Sequence, residues 1–265
     1  MVPRRVAIRP GLGWLVVSAV AILGAALFVF ADLGTLRPSH MANAQSKMPK
    51  DEFERRVRAY LLEHPEVIAE ALQRLELRER AAQVSAAKSI LKTRADELLR
   101  DPASPVGGNP QGDVTLVEFF DYNCPYCRQV APHMEKAEAS DPKLRIVYKE
   151  FPILGANSTF AAKAALAAHR QGKYAALHKA LMETKGTVGE KTVLDAAGRL
   201  GLDVERLKAD MADPAIQAHI DRNLALARAL QINGTPAFVI GEQIVPGAVD
   251  LATLERLIRE TRKKK

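Results

Sequence analysis

The chain has two cysteines, Cys124 and Cys127, in the run Cys124-Pro125-Tyr126-Cys127. Residues i and i+3 of a helical turn lie about 5–6 Å apart, within the Cα range that a disulfide can bridge. A bridge closing so short a loop removes almost no chain entropy, so it contributes little stability and its use must be reactivity. Just before it, Val114-Thr115-Leu116-Val117-Glu118-Phe119-Phe120 has the β-branched and aromatic content of a buried strand. A helix is predicted after it, to about residue 139. The first cysteine thus falls where a strand ends and a helix begins, where orphan N–H groups and the helix dipole favour a thiolate. Pro125 suits the first turn, where the donor it lacks is not needed. Cys124 is therefore the expected exposed nucleophile. Cys127, one turn inside, is the expected resolving thiol that ends a mixed disulfide.

Other residues fall where they can serve this exchange. Glu118 lies six positions before Cys124 in an otherwise apolar strand. If buried, it would be held protonated by desolvation and could exchange a proton with the resolving thiol. Lys149, on the next predicted strand (144–151), is its expected partner; simple alternation would instead turn both to solvent. Thr235-Pro236 precedes another predicted strand (237–240) in a Gly-Thr-Pro turn, a place for a cis proline. Beside the dithiol, such a proline would leave its neighbour's backbone free to pair with an extended substrate. An ordinary turn proline is the plainer alternative.

A C-x-x-C is also half of a zinc site, but no second cysteine pair exists to complete four ligands. His133, six residues on, fits a solvent-facing helix position better than a ligand position. No cofactor is expected beyond the Cys124–Cys127 disulfide itself. The alternative from another class is a copper(I)-binding, copper-tolerance role for the same two soft thiolates. Disulfide transfer to a peptide without metal separates the two.

Positioning these residues needs a scaffold. Strand, helix, strand over 114–151 implies a right-handed βαβ unit with parallel strands. Helices are predicted at about 158–171, 173–184, 190–200, 203–210 and 213–230. The strand at 237–240, a hairpin partner near 243–245 and a last helix at 250–262 close the chain. Residues 113–265 thus read as an α/β layer of thioredoxin type with a helical insertion at about 156–231. Pro- and Gly-rich residues 101–112 read as a linker. Ahead of it, 51–100 lacks glycine and reads as a helical arm. Phe53, Val57, Tyr60 and Leu61 mark one face, and Val67, Ile68, Ala71, Leu72 and Leu75 continue it beyond Pro65. Such a stripe must pack on the main domain or on copies of itself, so a homo-oligomer through 51–100 is one expectation.

Residues 12–31 are uncharged and long enough, as a helix, to span a hydrocarbon core about 30 Å thick. Arg4, Arg5 and Arg9 precede them, which places the N-terminus inside and the remainder outside. Residues 1–33 are therefore expected to export the chain, as an inner-membrane anchor or as a signal cleaved after Ala42-Asn43-Ala44. Residues 34–50 read as a linker. In a bacterial cell the destination is the periplasm, where disulfide chemistry is permitted. With 265 residues, 48% of them apolar, a sizeable core is expected. The net charge of +7 is concentrated at the two termini without interleaved aromatics, which argues against nucleic acid.

In combination, Phe119-Phe120-Asp121-Tyr122-Asn123-Cys124-Pro125-Tyr126-Cys127, Phe151-Pro152-Ile153-Leu154-Gly155 and Gly234-Thr235-Pro236-Ala237-Phe238 resemble the DsbA-like thiol oxidoreductases. The arm, with Tyr60-Leu61-Leu62-Glu63-His64-Pro65-Glu66, is similar to that of the suppressor-of-copper-sensitivity protein C subgroup. The resemblance implies a nucleophilic Cys124, a resolving Cys127, a cis Pro236 touching both, and Glu118 and Lys149 as proton-handling partners. It also implies unfolded or misfolded exported proteins as substrates, and a DsbB-like or DsbD-like membrane partner that sets oxidase or isomerase direction. In that subgroup the arm can drive oligomerisation, which accompanies isomerase behaviour. Two departures matter. Strongly oxidising relatives carry a histidine where Tyr126 stands, so this disulfide should be less oxidising; the subgroup often has glycine at Pro125.

Overall fold

The computed structural model describes residues 48–264. The expected export segment (12–31), the small-residue cleavage motif and most of the 34–50 linker lie outside them. Among the described residues no helix is long and apolar enough to cross a membrane. The chain divides into two compact units, one ending at Tyr60 and one beginning at Leu61. In the first, the described residues are chiefly those of α1 (Lys50–Glu63), which buries none of its side chains.

The second unit takes in the last residues of α1 and then α2 (Glu66–Thr93), whose cap position is Pro65 with φ −62°. No glycine or proline interrupts 66–99, and Glu70–Arg74 and Glu76–Arg80 pair one turn apart. The helix therefore continues through the stretch where the apolar pattern fades. It anchors only near its end, where Leu91 and then Leu98 of α3 (Ala95–Leu99) are buried. Val67, Ile68, Leu72, Leu75 and Val84 stay exposed.

The segment expected to be a plain linker contains β1 (Val106–Gly108). Its glycines hid it, and close approach explains them. A Cβ on Gly107 would meet the Tyr148 ring at 3.0 Å, and one on Gly108, at φ +63°, would lie 2.4 Å from the Leu144 carbonyl oxygen.

β2 (Val114–Phe120), α4 (Pro125–Ser140) and β3 (Leu144–Glu150) then form the βαβ unit, with β2 and β3 parallel. Five helices intervene: α5 (Ala156–Arg170), α6 (Tyr174–Met182), α7 (Glu190–Arg199), α8 (Val204–Met211) and α9 (Pro214–Ala229). β4 (Ala237–Ile240) and β5 (Gln243–Pro246) form a hairpin, and α10 (Leu251–Lys263) closes the fold. Asp203, Asp213 and Asp250 accept backbone N–H bonds at the starts of α8, α9 and α10, so local chemistry sets those helix starts. The sheet order is β1-β3-β2-β4-β5, with β4 antiparallel to β2. This is a thioredoxin-type mixed sheet carrying a helical insertion.

Strand alternation splits the core. Leu116, Phe120, Leu144, Ile146 and Tyr148 face one way, with α4, α10 and the inserted helices. Val117, Phe119 and Val147 face the other, with Leu91, Leu98, the end of α9 and Ile232. That division decides which side chains reach the cysteines.

Candidate active site

Cys124 is the cap residue of α4, with φ −78° and ψ 118°, and Pro125 occupies the first turn. Its amide donates to the Asp121 carbonyl at 3.0 Å, closing a turn between β2 and the helix. Both cysteines are free thiols and both are buried. The expectation of an exposed Cys124 is therefore corrected: it is only 4% accessible. The turn before β4 crosses over it, and its Sγ donates to the Thr235 carbonyl oxygen at 3.2 Å. The Thr235–Pro236 peptide is cis. Tyr126 is the outward member of the motif, 60% exposed.

Cys127 is fully buried one turn into α4. Burial pushes its thiol well above the ordinary cysteine range, and the negative charge of Glu118 pushes it further. Glu118 lies on the same sheet face as Leu116 and Phe120, the face that α4 covers. It is 2% exposed, and burial raises its carboxyl to about 8. A cleft of about 330 Å³, walled by Ala131, Met134, Tyr148, His178 and Met182, leads to it from the exposed Lys179–Glu135 ion pair. The buried carboxylate thus has a path to solvent, which a proton carrier needs.

Lys149 does not join it. In the parallel register Glu118 pairs with Tyr148 and Phe119 with Lys149, so the lysine points to the opposite face. There its Nζ donates to the Glu97 carbonyl at 2.5 Å and to Ser104 Oγ at 2.8 Å, with Asp101 at 3.9 Å. Burial lowers its ammonium to about 8, against the pull of Asp101 and Glu97. The expected Glu118–Lys149 pair is corrected: Lys149 ties the root of α3 to the back of the sheet.

Three positioning residues carried no assigned role in the sequence reading. Asp121 is buried, and its carboxylate accepts the amides of Asn123 at 2.8 Å, Ile153 at 2.9 Å and Leu154 at 3.0 Å. It thus pins the loop that delivers Cys124 to the loop after β3. Asn123 accepts the Val188 amide at 2.9 Å and donates to Val188 O and Ser158 Oγ, both at 3.2 Å, stitching the same loop to the insertion. Glu150, buried at the end of β3, accepts from Tyr122 and Tyr174 hydroxyls at 3.0 and 2.9 Å. Burial raises its carboxyl well above the usual range although both hydroxyls oppose the shift. Polar residues between a buried strand and a helix were the available signal for Asp121 and Asn123, because such residues form side-chain-to-backbone turns. Among the described residues no three His, Cys, Asp or Glu side chains are grouped to hold a metal ion. His133 Nδ1 lies 3.2 Å from the Val249 carbonyl.

Comparison with known proteins agrees with this geometry. Residues 115–259 match the model of the DSBA-like thioredoxin domain, and residues 50–82 that of the copper resistance protein ScsC N-terminal domain. A thioredoxin-like oxidoreductase from Silicibacter pomeroyi is 51% identical, covering 63% of this chain and 97% of its own, with a TM-score of 0.62. A linker-deletion mutant of Proteus mirabilis ScsC is 32% identical, covering 84% of this chain and 100% of its own, with a TM-score of 0.64. The thiol:disulfide interchange protein DsbA of Bordetella parapertussis is 26% identical, over 60% of this chain and 82% of its own. The chain also matches proteins named Na(+)/H(+) antiporters, such as one from Salinispora arenicola, at 28% identity, but spans only 24% of that protein's length. With more than half of its length matched by that one domain model, the chain belongs to the DSBA-like thioredoxin-domain family.

Proposed function

We propose that the protein is an exported protein thiol–disulfide oxidoreductase working through Cys124 and Cys127. The observation that carries the reading is the stacking of roles at one helix start. Cys124 caps α4 with the Thr235 carbonyl against its sulfur, and Cys127 is sealed behind it beside a buried carboxyl.

In the oxidising direction a substrate thiolate attacks Cys124 Sγ of the Cys124–Cys127 disulfide. The S–S bond breaks and Cys127 leaves as a thiolate. Burial makes that anion costly, so it takes a proton from Glu118, which with a value of about 8 is mostly protonated at neutral pH. A second substrate thiolate then attacks the substrate sulfur of the mixed disulfide. Cys124 leaves as the thiolate that a helix N-terminus favours. The substrate loses two electrons and two protons, and the dithiol gains them. Isomerisation begins with the second step in reverse: Cys124 attacks a substrate disulfide and releases one substrate thiolate, and another substrate thiolate then displaces Cys124. Where Cys127 resolves the mixed disulfide instead, Glu118 accepts the Cys127 proton and the substrate leaves reduced. Direction follows from the membrane partner, a DsbB-like oxidase or a DsbD-like reductase, and the substrates are unfolded or misfolded exported proteins.

The remainder of the chain fits this role. The basic, apolar N-terminus delivers the domain to the periplasm, retained as an anchor or cleaved. Among the described residues, Phe53 and Val57 of α1 are exposed, and so are Val67, Ile68, Leu72 and Leu75 of α2; each set is suited to pairing with further copies of the chain.

The test uses a reduced two-cysteine peptide and oxidised protein with no metal present. The peptide should be oxidised. Offered the same peptide in its disulfide form, reduced Cys127→Ser should accumulate a mixed disulfide through Cys124, and reduced Cys124→Ser should accumulate none. Failure of both disproves the assignment.

A further inference from the structure

A groove of about 360 Å³ runs between α2 and the turn that covers Cys124. One wall is Gln83, Val84 and Ala87 of the arm helix; the other includes Ile232, Ile244 and Pro246. Thr235 and Pro236 line it as well. The residue whose carbonyl touches the Cys124 sulfur is thus also a residue of the groove. We propose that arm residues Val84 and Ala87 form one wall of the path taken by a polypeptide held as a mixed disulfide on Cys124, and that these two arm positions give the exchange a preference for apolar stretches. The inference rests on the oxidoreductase reading and adds a substrate preference carried by the arm.

Three observations argue for this occupant. The first is continuity: a chain bonded to Cys124 Sγ must pass the Thr235-Pro236 turn, and the groove starts there. The second is the edge. β5 ends the sheet, and Ile244 and Pro246 of that strand line the groove. An edge strand offers backbone donors and acceptors to an extended peptide, while apolar walls take alternate side chains. The third is how α2 is held. Leu91 is buried on the core and Lys92 Nζ lies 3.6 Å from Glu242, in the turn between β4 and β5, so the helix is fixed just beyond Ala87. Val84, less than two turns earlier, is 57% exposed and has no internal packing role to explain it. The volume suits roughly two or three side chains, the lower end of ordinary binding sites.

The experiment uses the full chain and three reduced thiols: a cysteine peptide flanked by leucine and valine, one flanked by aspartate, and glutathione. Val84→Glu with Ala87→Glu should slow exchange with the apolar peptide by about tenfold, the loss expected for unburying one aliphatic side chain. Rates with glutathione should not change, and the aspartate-flanked peptide should gain no advantage in the unsubstituted protein. A photo-crosslinking residue at position 84, in Cys127→Ser protein loaded with the apolar peptide by exchange with that peptide's aryl mixed disulfide, should label the peptide, and one at exposed Arg80 should not. Equal slowing with all three thiols, no slowing with any, or label found only between copies of the chain overturns the inference. Absence of any trapped disulfide, with glutathione also unreactive, overturns the oxidoreductase reading instead, so the two failures are distinct.

Discussion

Glu118 and Lys149 lie on hydrogen-bonded neighbouring strands yet face opposite sides of the sheet, because the parallel register sets Glu118 against Tyr148 and Lys149 against Phe119. The two buried charges that sequence pairs together therefore do separate work. Glu118 faces the dithiol helix, and Lys149 faces the root of the arm. Substitutions should separate them cleanly.

Glu118→Gln should slow the steps in which Cys127 leaves or attacks. Positioned proton transfer typically contributes about 10²-fold or more, so a drop of at least about tenfold is expected in dithiol exchange. Wild-type resolution of a trapped mixed disulfide should accelerate with pH around 8 as the carboxyl ionises, and the variant should lose that inflection. Stopped-flow rates between pH 5 and 10 measure both. An unchanged profile would remove Glu118 from the proton path.

The same substitution has a stability signature with a definite sign. Glu118 binds its proton more tightly folded, at about 8, than unfolded, near 4.5. Between those values the folded state holds a proton that the unfolded state has released, so stability falls as pH rises through the window. The neutral glutamine has no such slope. Wild type should lose ground to Glu118→Gln by on the order of 1 kcal/mol per pH unit from about pH 5 to 8, levelling above that. Urea unfolding at several pH values tests it. Glu150 shifts in the same direction in both proteins, so the difference between them isolates Glu118.

Lys149→Met should act on the other face only. It removes donors to Glu97 O and Ser104 Oγ and the charge facing Asp101, which also contacts His219 at 3.3 Å. Leaving buried acceptors unpaired should cost about 1–3 kcal/mol. Exchange rates with glutathione should stay within about twofold, since no atom of Lys149 faces the dithiol. A tenfold loss of exchange without unfolding would restore the proton role that sequence suggests.

What could be read from sequence was what depends on local order. The strand–turn–helix around Cys124, the βαβ unit, the closing hairpin and each inserted helix follow from periodicity and caps, and their ends differ from expectation by about two residues. Two kinds of fact were hidden. Facing across the sheet depends on register, so nothing near Lys149 in sequence says that Ser104 and Glu97 will be its partners. Coverage depends on a contact spanning more than a hundred residues: Thr235 lies over Cys124 because β4 inserts beside β2. That is why the nucleophile is buried although its own sequence surroundings suggest exposure. β1 was missed for a different reason, since its glycines serve close approach to β3 rather than a turn.

Asp121 tests how far the dithiol depends on its loop. One carboxylate holds three amides from two loops, Asn123, Ile153 and Leu154, and is buried while doing so. Asp121→Asn keeps the shape but replaces one of the two accepting oxygens with an NH2 that cannot accept, so the amides on that side lose their partner while the remaining neutral oxygen accepts more weakly than a carboxylate. Asp121→Ala leaves the amides unpaired and should cost about 2–4 kcal/mol. The functional effect should follow the geometry. Loosening the loop moves the start of α4 relative to Thr235, so the Cys124 alkylation rate should change in Asp121→Ala while the far-ultraviolet spectrum stays constant. Asp121→Asn should fall between the two in both stability and alkylation rate. If alanine alters stability yet leaves Cys124 reactivity untouched, the loop is merely structural and the cysteine is positioned by α4 alone.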